Sequence, residues 1–333
     1  MSSIPTITVA GKTVGRVGFG LMHLTAWNSN PPSQEASFAA MKAAVDAGSN
    51  LWNSASFYGD PGDHFANIKL IAAFFAKYPE YKDKIVLVVK GGVDHTTHQP
   101  TADIDYWRND IKQMQEILGD KKLDVFSLGR LPDAPVEEVF TNLKRLKDEG
   151  LFDGVAASEL GAESLEIANK ITPIAINEIE ISLFSYDTSI RSAVAWHTKN
   201  KIPVLAYSPL GRGFITRTYK SPEDIPEGDL KRLFPRFQGK AFYENLKLVD
   251  KLDEIAGRKG VSGSQVALAW IMGLSDYTIP IPGSSNPERI TQNVRSASIT
   301  LSPDETKEIS DFLDTFEVQG TRYPEFLMGT LMK

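Results

Sequence analysis

The chain has 333 residues and a mass of 36.7 kDa, enough for about two ordinary domains or one large α/β barrel. With 42% hydrophobic and 23% charged residues the composition is that of a folded globular protein, and a net charge of −6 leaves no broad positive field for nucleic acid or an anionic membrane. Cysteine is absent, which excludes disulfides, thiolate metal sites, iron–sulfur ligation and a cysteine nucleophile.

The first twenty residues hold no apolar run long enough for a signal peptide, and no later stretch approaches a membrane span, so a cytoplasmic protein is expected. A hairpin opens the chain, Ile7 to Val9 and Lys12 to Val14 around Gly11, and a first barrel strand follows at Arg16 to Phe19. Ser33 and Gly48 bracket a first helix, Ser33 to Ala47, as its amino-terminal cap and its left-handed stop. Further strands are predicted at Asn50 to Trp52, Ile85 to Val89, Leu123 to Leu128, Gly154 to Ala157, Ile174 to Ile176, Pro203 to Ala206 and Tyr277 to Ile281. Helical periodicity falls between them at Phe65 to Lys77, Ile104 to Leu118, Val136 to Asp148 with Pro135 at its first position, Ala162 to Lys170 and Ser189 to Lys199. The seventh crossover is the longest: a loop from Gly211 to Gly239, then helices at Phe242 to Arg258 and Ser264 to Met272. Ser302-Pro303-Asp304-Glu305 is a capping box that starts a last helix. Strand and helix alternating eight times predict an α/β protein of one (β/α)8 TIM barrel. The expected organisation is a single domain over 1–333, with a hairpin at 1–15, the long loop at 211–239, and a helix and tail at 302–333.

In such a barrel the chemistry sits at the carboxyl ends of the strands, so the polar residue that ends each apolar run is informative. These are Asn53, with Tyr58 five residues on; Lys90 before Gly91-Gly92; Gly129-Arg130; Ser158-Glu159; Asn177-Glu178; Tyr207-Ser208; and Pro282-Gly283-Ser284-Ser285. A lysine after five apolar residues is unusual on a rim. An ammonium close to a tyrosine lowers the phenol's pKa and makes it a usable general acid. Gly283 to Arg289 combines a turn, two serine hydroxyls, a cap at Asn286 and a first-turn arginine, a donor set suited to a phosphate. Gly18-x-Gly20-x-x-His23 lacks the third glycine of a dinucleotide fingerprint, and no Gly-x-Ser-x-Gly elbow occurs. Asp94-His95-Thr96-Thr97-His98 offers no third ligand, so no metal is expected, and His197, late in its helix, is expected to meet the helix's negative end.

Gly18 to Met22, Asn53 through Tyr58-Gly59, Lys90-Gly91, Asp124 to Glu138, Ser158-Glu159, Glu178 to Glu180, Ala206 to Gly211 and Ile281 to Asn293 together resemble the aldo-keto reductase family, over roughly Val14 to Phe316. Trp52-Asn53, Phe57-Tyr58-Gly59, Lys90-Gly91-Gly92 and Ile279 to Ser284 are most similar to its fungal pyridoxal reductase branch. The resemblance implies NADPH-dependent reduction of an aldehyde, pyridoxal or a similar aromatic one, with Tyr58 as proton donor and Lys90 tuning it. Asn53 and Gly129 stand where the family carries its aspartate and histidine. Asn53 is therefore expected to bind Lys90 without neutralising it, leaving the ammonium to act more strongly on Tyr58. Gly129 is expected to open about an imidazole's volume, with Arg130 or a water replacing the lost donor, or else a slower reaction.

NADPH is implied at Gly20, Leu21, Met22 and Asn53; at Ser158, Glu159 and Glu178 around the nicotinamide amide, with Tyr207 as the stacking face; and along Ser208, Pro209, Leu210, Gly211 and Gly213. Its adenylate end is implied at Gly283, Ser284, Ser285, Arg289, Gln292 and Asn293. Trp27, Tyr58 and Arg130 are implied on the substrate side. The partner is then a small aldehyde or ketone, and the sequence sets no oligomeric state. Two other readings stay open: an NADPH-binding regulatory subunit like the potassium-channel β subunits, and a carbonyl reductase of fungal secondary metabolism acting on a bulkier ketone.

Overall fold

The computed structural model describes residues 4–26, 30–60 and 62–333. The chain enters through an antiparallel hairpin of β1 (Thr6–Val9) and β2 (Lys12–Gly15). Its two-residue turn, Ala10-Gly11, is left-handed at both positions (φ 46° and 76°), the geometry that matches strand twist in a tight hairpin. Val9 and Val14 pack with Leu51, Val86 and Val125, which begin three of the barrel strands, so the hairpin plugs the amino-terminal end.

Strands and helices then alternate: β3 (Phe19–Gly20), α1 (Gln34–Asp46), β4 (Leu51–Ala55), α2 (Ala66–Lys77), β5 (Val86–Gly91), α3 (Ile104–Leu118), β6 (Val125–Leu128), α4 (Val136–Asp148), β7 (Gly154–Ser158), α5 (Ala162–Ile171), β8 (Ile174–Glu180), α6 (Thr188–Asn200) and β9 (Val204–Tyr207). After the loop that follows β9 come α7 (Gly239–Lys259), α8 (Gly263–Leu274), β10 (Thr278–Pro280), α9 (Pro287–Arg295), α10 (Pro303–Thr315) and a single turn, α11 (Glu325–Met328). β3 to β10 pair in chain order as parallel neighbours. The ring closes where Gly18 N–H donates to the Pro280 carbonyl at 2.9 Å and Gly20 N–H to that of Pro282 at 3.4 Å. Glycine is required there, because a Cβ on Gly18 would lie 2.9 Å from Ile281 Cγ2 and one on Gly20 2.9 Å from the Ile281 carbonyl oxygen. This is the expected TIM barrel.

Strand periodicity decides what enters its mouth. On β5, Val86 and Val88 join the interior cluster while Leu87 and Val89 join the layer under the helices. Side chains alternate, so Lys90 points inward. The same parity carries Leu51 to Asn53 on β4, Ala156 to Ser158 on β7, Ile176 to Glu178 and Glu180 on β8, and Leu205 to Tyr207 on β9. Several ladders outrun the apolar runs that predicted them. β4 reaches Ala55, β5 Gly91 and β8 Glu180, because their inward polar side chains satisfy one another and leave no reason for the backbone pairing to stop.

Three local expectations need correction. The first barrel strand shrinks to Phe19–Gly20, because Arg16 N–H bonds Pro5 and the Arg16 guanidinium donates to Met272, Ser275 and Thr278 carbonyls. Pro135 is the cap of α4 and not its first residue. His197 is buried inside the protein and its Nδ1 lies 3.0 Å from the Ile202 carbonyl; burial lowers its pKa to about 4, so it is a neutral ring and not a cation at a helix end. The caps at Ser33, Asn286 and Ser302 are as predicted. No described helix is long and apolar enough to cross a membrane.

Candidate active site

Asn53, Lys90 and Glu178 meet at the mouth of the barrel. Lys90 Nζ donates to Asn53 Oδ1 at 2.7 Å and to both Glu178 oxygens at 3.0 Å, while Asn53 Nδ2 donates to Glu178 Oε2 at 2.7 Å. All three are buried, and Lys90 is only 3% exposed. The Lys90 ammonium lies 5.1 Å from the centre of the Tyr58 ring. Tyr58 sits on the loop after β4, whose place is fixed by neighbours. Thr25 Oγ1 donates to the Tyr58 carbonyl at 2.8 Å, and Asn67 ties that loop to Thr25 and Leu21. On the other side the buried Asp110 carboxylate accepts from Ser56 Oγ and from Gly92 N–H, both at 3.1 Å. One side chain from α3 thus joins the segment bearing Tyr58 to the strand bearing Lys90.

Glu178, and not Asn53, neutralises Lys90. Burial pushes the lysine toward the neutral form, but Glu178 and Tyr58 outweigh it and its pKa is raised. Tyr58 departs from the sequence expectation: burial raises its pKa, Lys90 lowers it, and Glu178 raises it again, with a net rise. The resting pair is an ammonium beside a protonated phenol.

Gly129 opens no empty space. A Cβ there would lie 2.8 Å from Cε1 and Cζ of Phe57 and 3.0 Å from Val93 Cγ2, so the Phe57 ring, packed edge-on against Tyr58 at 5.4 Å, fills the volume. Arg130 follows, its Nη1 donating to the Gly129 carbonyl at 2.7 Å and to Ser158 Oγ at 3.4 Å. Burial opposes its charge, but Tyr207, Tyr323, Glu159 and Glu178 around it hold the guanidinium protonated.

A second charged cluster lies beside the first. Both Glu159 oxygens accept from Arg322 Nη2 at 2.9 Å, and Oε1 also accepts from Tyr207 Oη at 2.8 Å. Glu180 accepts from Arg212 and Ser185 at 2.8 Å, and Arg236 donates to Ser185 at 2.7 Å. Burial would raise the Glu180 carboxyl, but Arg212, Arg322 and Arg236 together pull it down to about 2. Tyr323 Oη lies 3.2 Å from that of Tyr207, under the Arg212 guanidinium. The strand ends were legible. Arg212 lies between Gly211 and Gly213, which the resemblance already sets beside the cofactor, but Arg322, Tyr323 and Arg236 were not legible, since nothing in the sequence marks those residues as returning to the mouth.

The residues expected to hold an anion lie at the end of β3, in the turn after β9 and at the start of α9. Gly20 and Gly283 approach closely, a Cβ on Gly283 falling 2.8 Å from the Gly20 carbonyl, and Leu21 N–H bonds the Asn53 carbonyl at 3.0 Å next to Met22. Past Tyr207, the turn Ser208-Pro209-Leu210-Gly211 to Gly213 is left-handed at Ser208, Gly211, Arg212 and Gly213. At α9, Ser284 Oγ accepts from Asn286 N–H, Asn286 caps Arg289 N–H, and Ser285, Arg289 and Gln292 are exposed above the buried Asn293. The Arg289 guanidinium makes no hydrogen bond or ion pair with a described residue. A free guanidinium, two hydroxyls and a helix start are the donors that a phosphorylated dinucleotide requires, so the residues fit such a cofactor. Trp27 lies outside the described residues. His95, from the histidine-rich loop, stacks on His64 at 4.0 Å and faces Asp110 at 3.5 Å.

The model of the aldo/keto reductase family matches residues 16–314. A Schizosaccharomyces pombe protein named Probable pyridoxal reductase 2 is 35% identical, over 97% of this chain and 98% of its own length. A second protein of that yeast, the aldo-keto reductase yakc, whose name specifies NADP(+), is 32% identical over 97% and 95%. Among solved structures, a glycerol dehydrogenase of Gluconobacter oxydans superposes with a TM-score of 0.82 at 22% identity, covering 96% of this chain and 98% of its own; it speaks to the fold alone.

Proposed function

The chain belongs to the aldo/keto reductase family, and from that premise we propose that it reduces pyridoxal or a similar aromatic aldehyde, with NADPH as reductant and Tyr58 as proton donor. The observation that carries this reading is the buried phenol of Tyr58 beside a lysine that is itself held protonated. A general acid must hold its proton until the oxygen needs it, and burial together with Glu178 keeps the phenol intact. Lys90 then stabilises the phenolate left behind. Arg130, next to Gly129, supplies a positive donor on the side where the family's histidine is missing. Phe57 lines that side with a flat ring, which suits a planar aromatic aldehyde better than an open cavity would.

NADPH, when bound, supplies the hydride that reduces the carbonyl carbon. Ser158, Glu159, Glu178 and Tyr207 would hold its nicotinamide end, Ser208 to Gly213 its pyrophosphate, and Ser284, Ser285, Arg289, Gln292 and Asn293 its adenylate end. The preference for a 2′-phosphate rests mainly on Arg289, whose charge no described side chain occupies. The small partner is an aldehyde or ketone.

Tyr58→Phe is expected to lower turnover of pyridoxal and of an aromatic-aldehyde panel by about 10²- to 10⁴-fold, while fluorescence titration still shows NADPH binding. Near-normal turnover in that variant would sink the assignment. A wild-type protein that binds NADPH yet reduces no aldehyde or ketone would support the regulatory-subunit reading instead.

A further inference from the structure

The buried ammonium of Lys90 needs an anion, and Asn53, whose Oδ1 accepts from it at 2.7 Å, is neutral. Glu178 provides the charge from the opposite side of the barrel, both of its oxygens at 3.0 Å from Lys90 Nζ. Asn53 does more than tolerate this. Its carbonyl oxygen accepts from Lys90 while its amide nitrogen donates to Glu178 Oε2 at 2.7 Å, so one side chain serves a cation and an anion at once. An aspartate at 53 would place a second carboxylate oxygen against Glu178 at that distance, and two carboxylates so close cannot both ionise freely.

We propose that Asn53 and Glu178 form an exchanged pair: the carboxylate that balances Lys90, and through it fixes how firmly Tyr58 holds its proton, resides on β8, and the amide on β4 is the complement that this requires. Glu178 acts on the proton through Lys90 and is a positioning residue, over and above any contact with a nicotinamide amide. The proposal rests on the reading of Tyr58 as proton donor. The charged groups that bear on the phenol are Lys90 from β5, Glu178 from β8 and Arg130 from the end of β6.

The exchange is tested by the pH dependence of kcat for aldehyde reduction, which falls on the basic side as the phenol ionises. Glu178→Gln removes a negative charge that favours the protonated phenol, so the basic limb moves to lower pH by about one to three units. Asn53→Asp adds one and moves the limb up. The double variant, Asn53→Asp with Glu178→Gln, keeps a single carboxylate and brings the limb back toward the wild-type position, well inside either single shift. If Glu178→Gln fails to fold for want of a counter-ion, the double variant is read against Asn53→Asp: a limb raised in Asn53→Asp and returned near wild type in the double variant upholds the exchange, and a limb unmoved in Asn53→Asp, or displaced by a unit or more in the double variant, overturns it. Unmoved limbs in both single variants, with only KM for NADPH raised, would also overturn it and leave Glu178 a cofactor ligand. Failure of the underlying reading looks different, because Tyr58→Phe would then retain turnover and the basic limb whatever occupies 53 and 178.

Discussion

Two buried charge clusters share the mouth of the barrel and are built from different material. Asn53, Lys90 and Glu178 all belong to strands, so their mutual distances are set by ladder register and by the two-residue alternation of each strand. The neighbouring cluster takes its anions, Glu159 and Glu180, from strand ends too, but its cations come from elsewhere: Arg212 and Arg236 from the loop after β9, and Arg322 from the tail. The first cluster is fixed as soon as the barrel forms. The second is completed only by side chains of the loop and the tail, so its ion pairs act as a latch that ties both segments to the strand ends.

Removing the latch's central cation has the largest expected effect. Arg322→Ala leaves Glu159, which is fully buried, and Glu180, nearly so, without their shared guanidinium. Breaking a buried pair from one side costs about 3–5 kcal/mol. Urea unfolding checks that figure, and a loss below about 1 kcal/mol would erase the distinction between the clusters. The same variant should leave the basic limb of kcat in place, because Lys90 and Glu178 lose no partner.

Acid separates the clusters next. Glu180 has its folded pKa lowered from 4.5 to about 2 by Arg212, Arg322 and Arg236 working against burial. A group depressed in this way contributes stability that is complete above pH 4.5 and is lost as pH falls toward 2, on the order of 3 kcal/mol. His23 and His197, each lowered to about 4 by burial, add an earlier loss as pH falls from 6.5 to 4. Glu180→Gln should flatten the stability curve below pH 4.5 and leave the earlier slope intact; an unchanged lower limb would remove Glu180 from the latch.

The contrast between clusters also explains what could be read in advance. Alternating apolar runs located all eight barrel strands, and the rule that polar residues terminate them found Asn53, Lys90, Ser158, Glu178 and Tyr207, because strand-end chemistry is local in sequence. Glu180 shares the inward parity of Glu178 and follows from the same rule once β8 is extended. Arg322 lies 163 residues from Glu159 in a stretch without periodicity, and only closure of the tail brings them together. Charge is also harder to read than position: Asn53 was in view as a residue that binds Lys90, but the carboxylate that completes the pair sits on β8, 125 residues away.

Gly129 offers the smallest and sharpest probe, because it belongs to the strand-built side and its fault is purely steric. Its backbone is not left-handed, so alanine there meets no conformational penalty, only the Phe57 ring carbons at 2.8 Å and Val93 at 3.0 Å. Phe57 and Val93 are ring and branched side chains with little freedom to yield, and overpacking of this kind costs about 1–3 kcal/mol. Gly129→Ala should therefore lower the unfolding midpoint and, because Phe57 packs against Tyr58, reduce kcat with it. Phe57→Leu in the same chain should restore both, since it withdraws the ring carbons that clash. Recovery of stability without recovery of kcat would mean that the Phe57 ring itself, as a wall for the substrate, is what the reaction needs at that position.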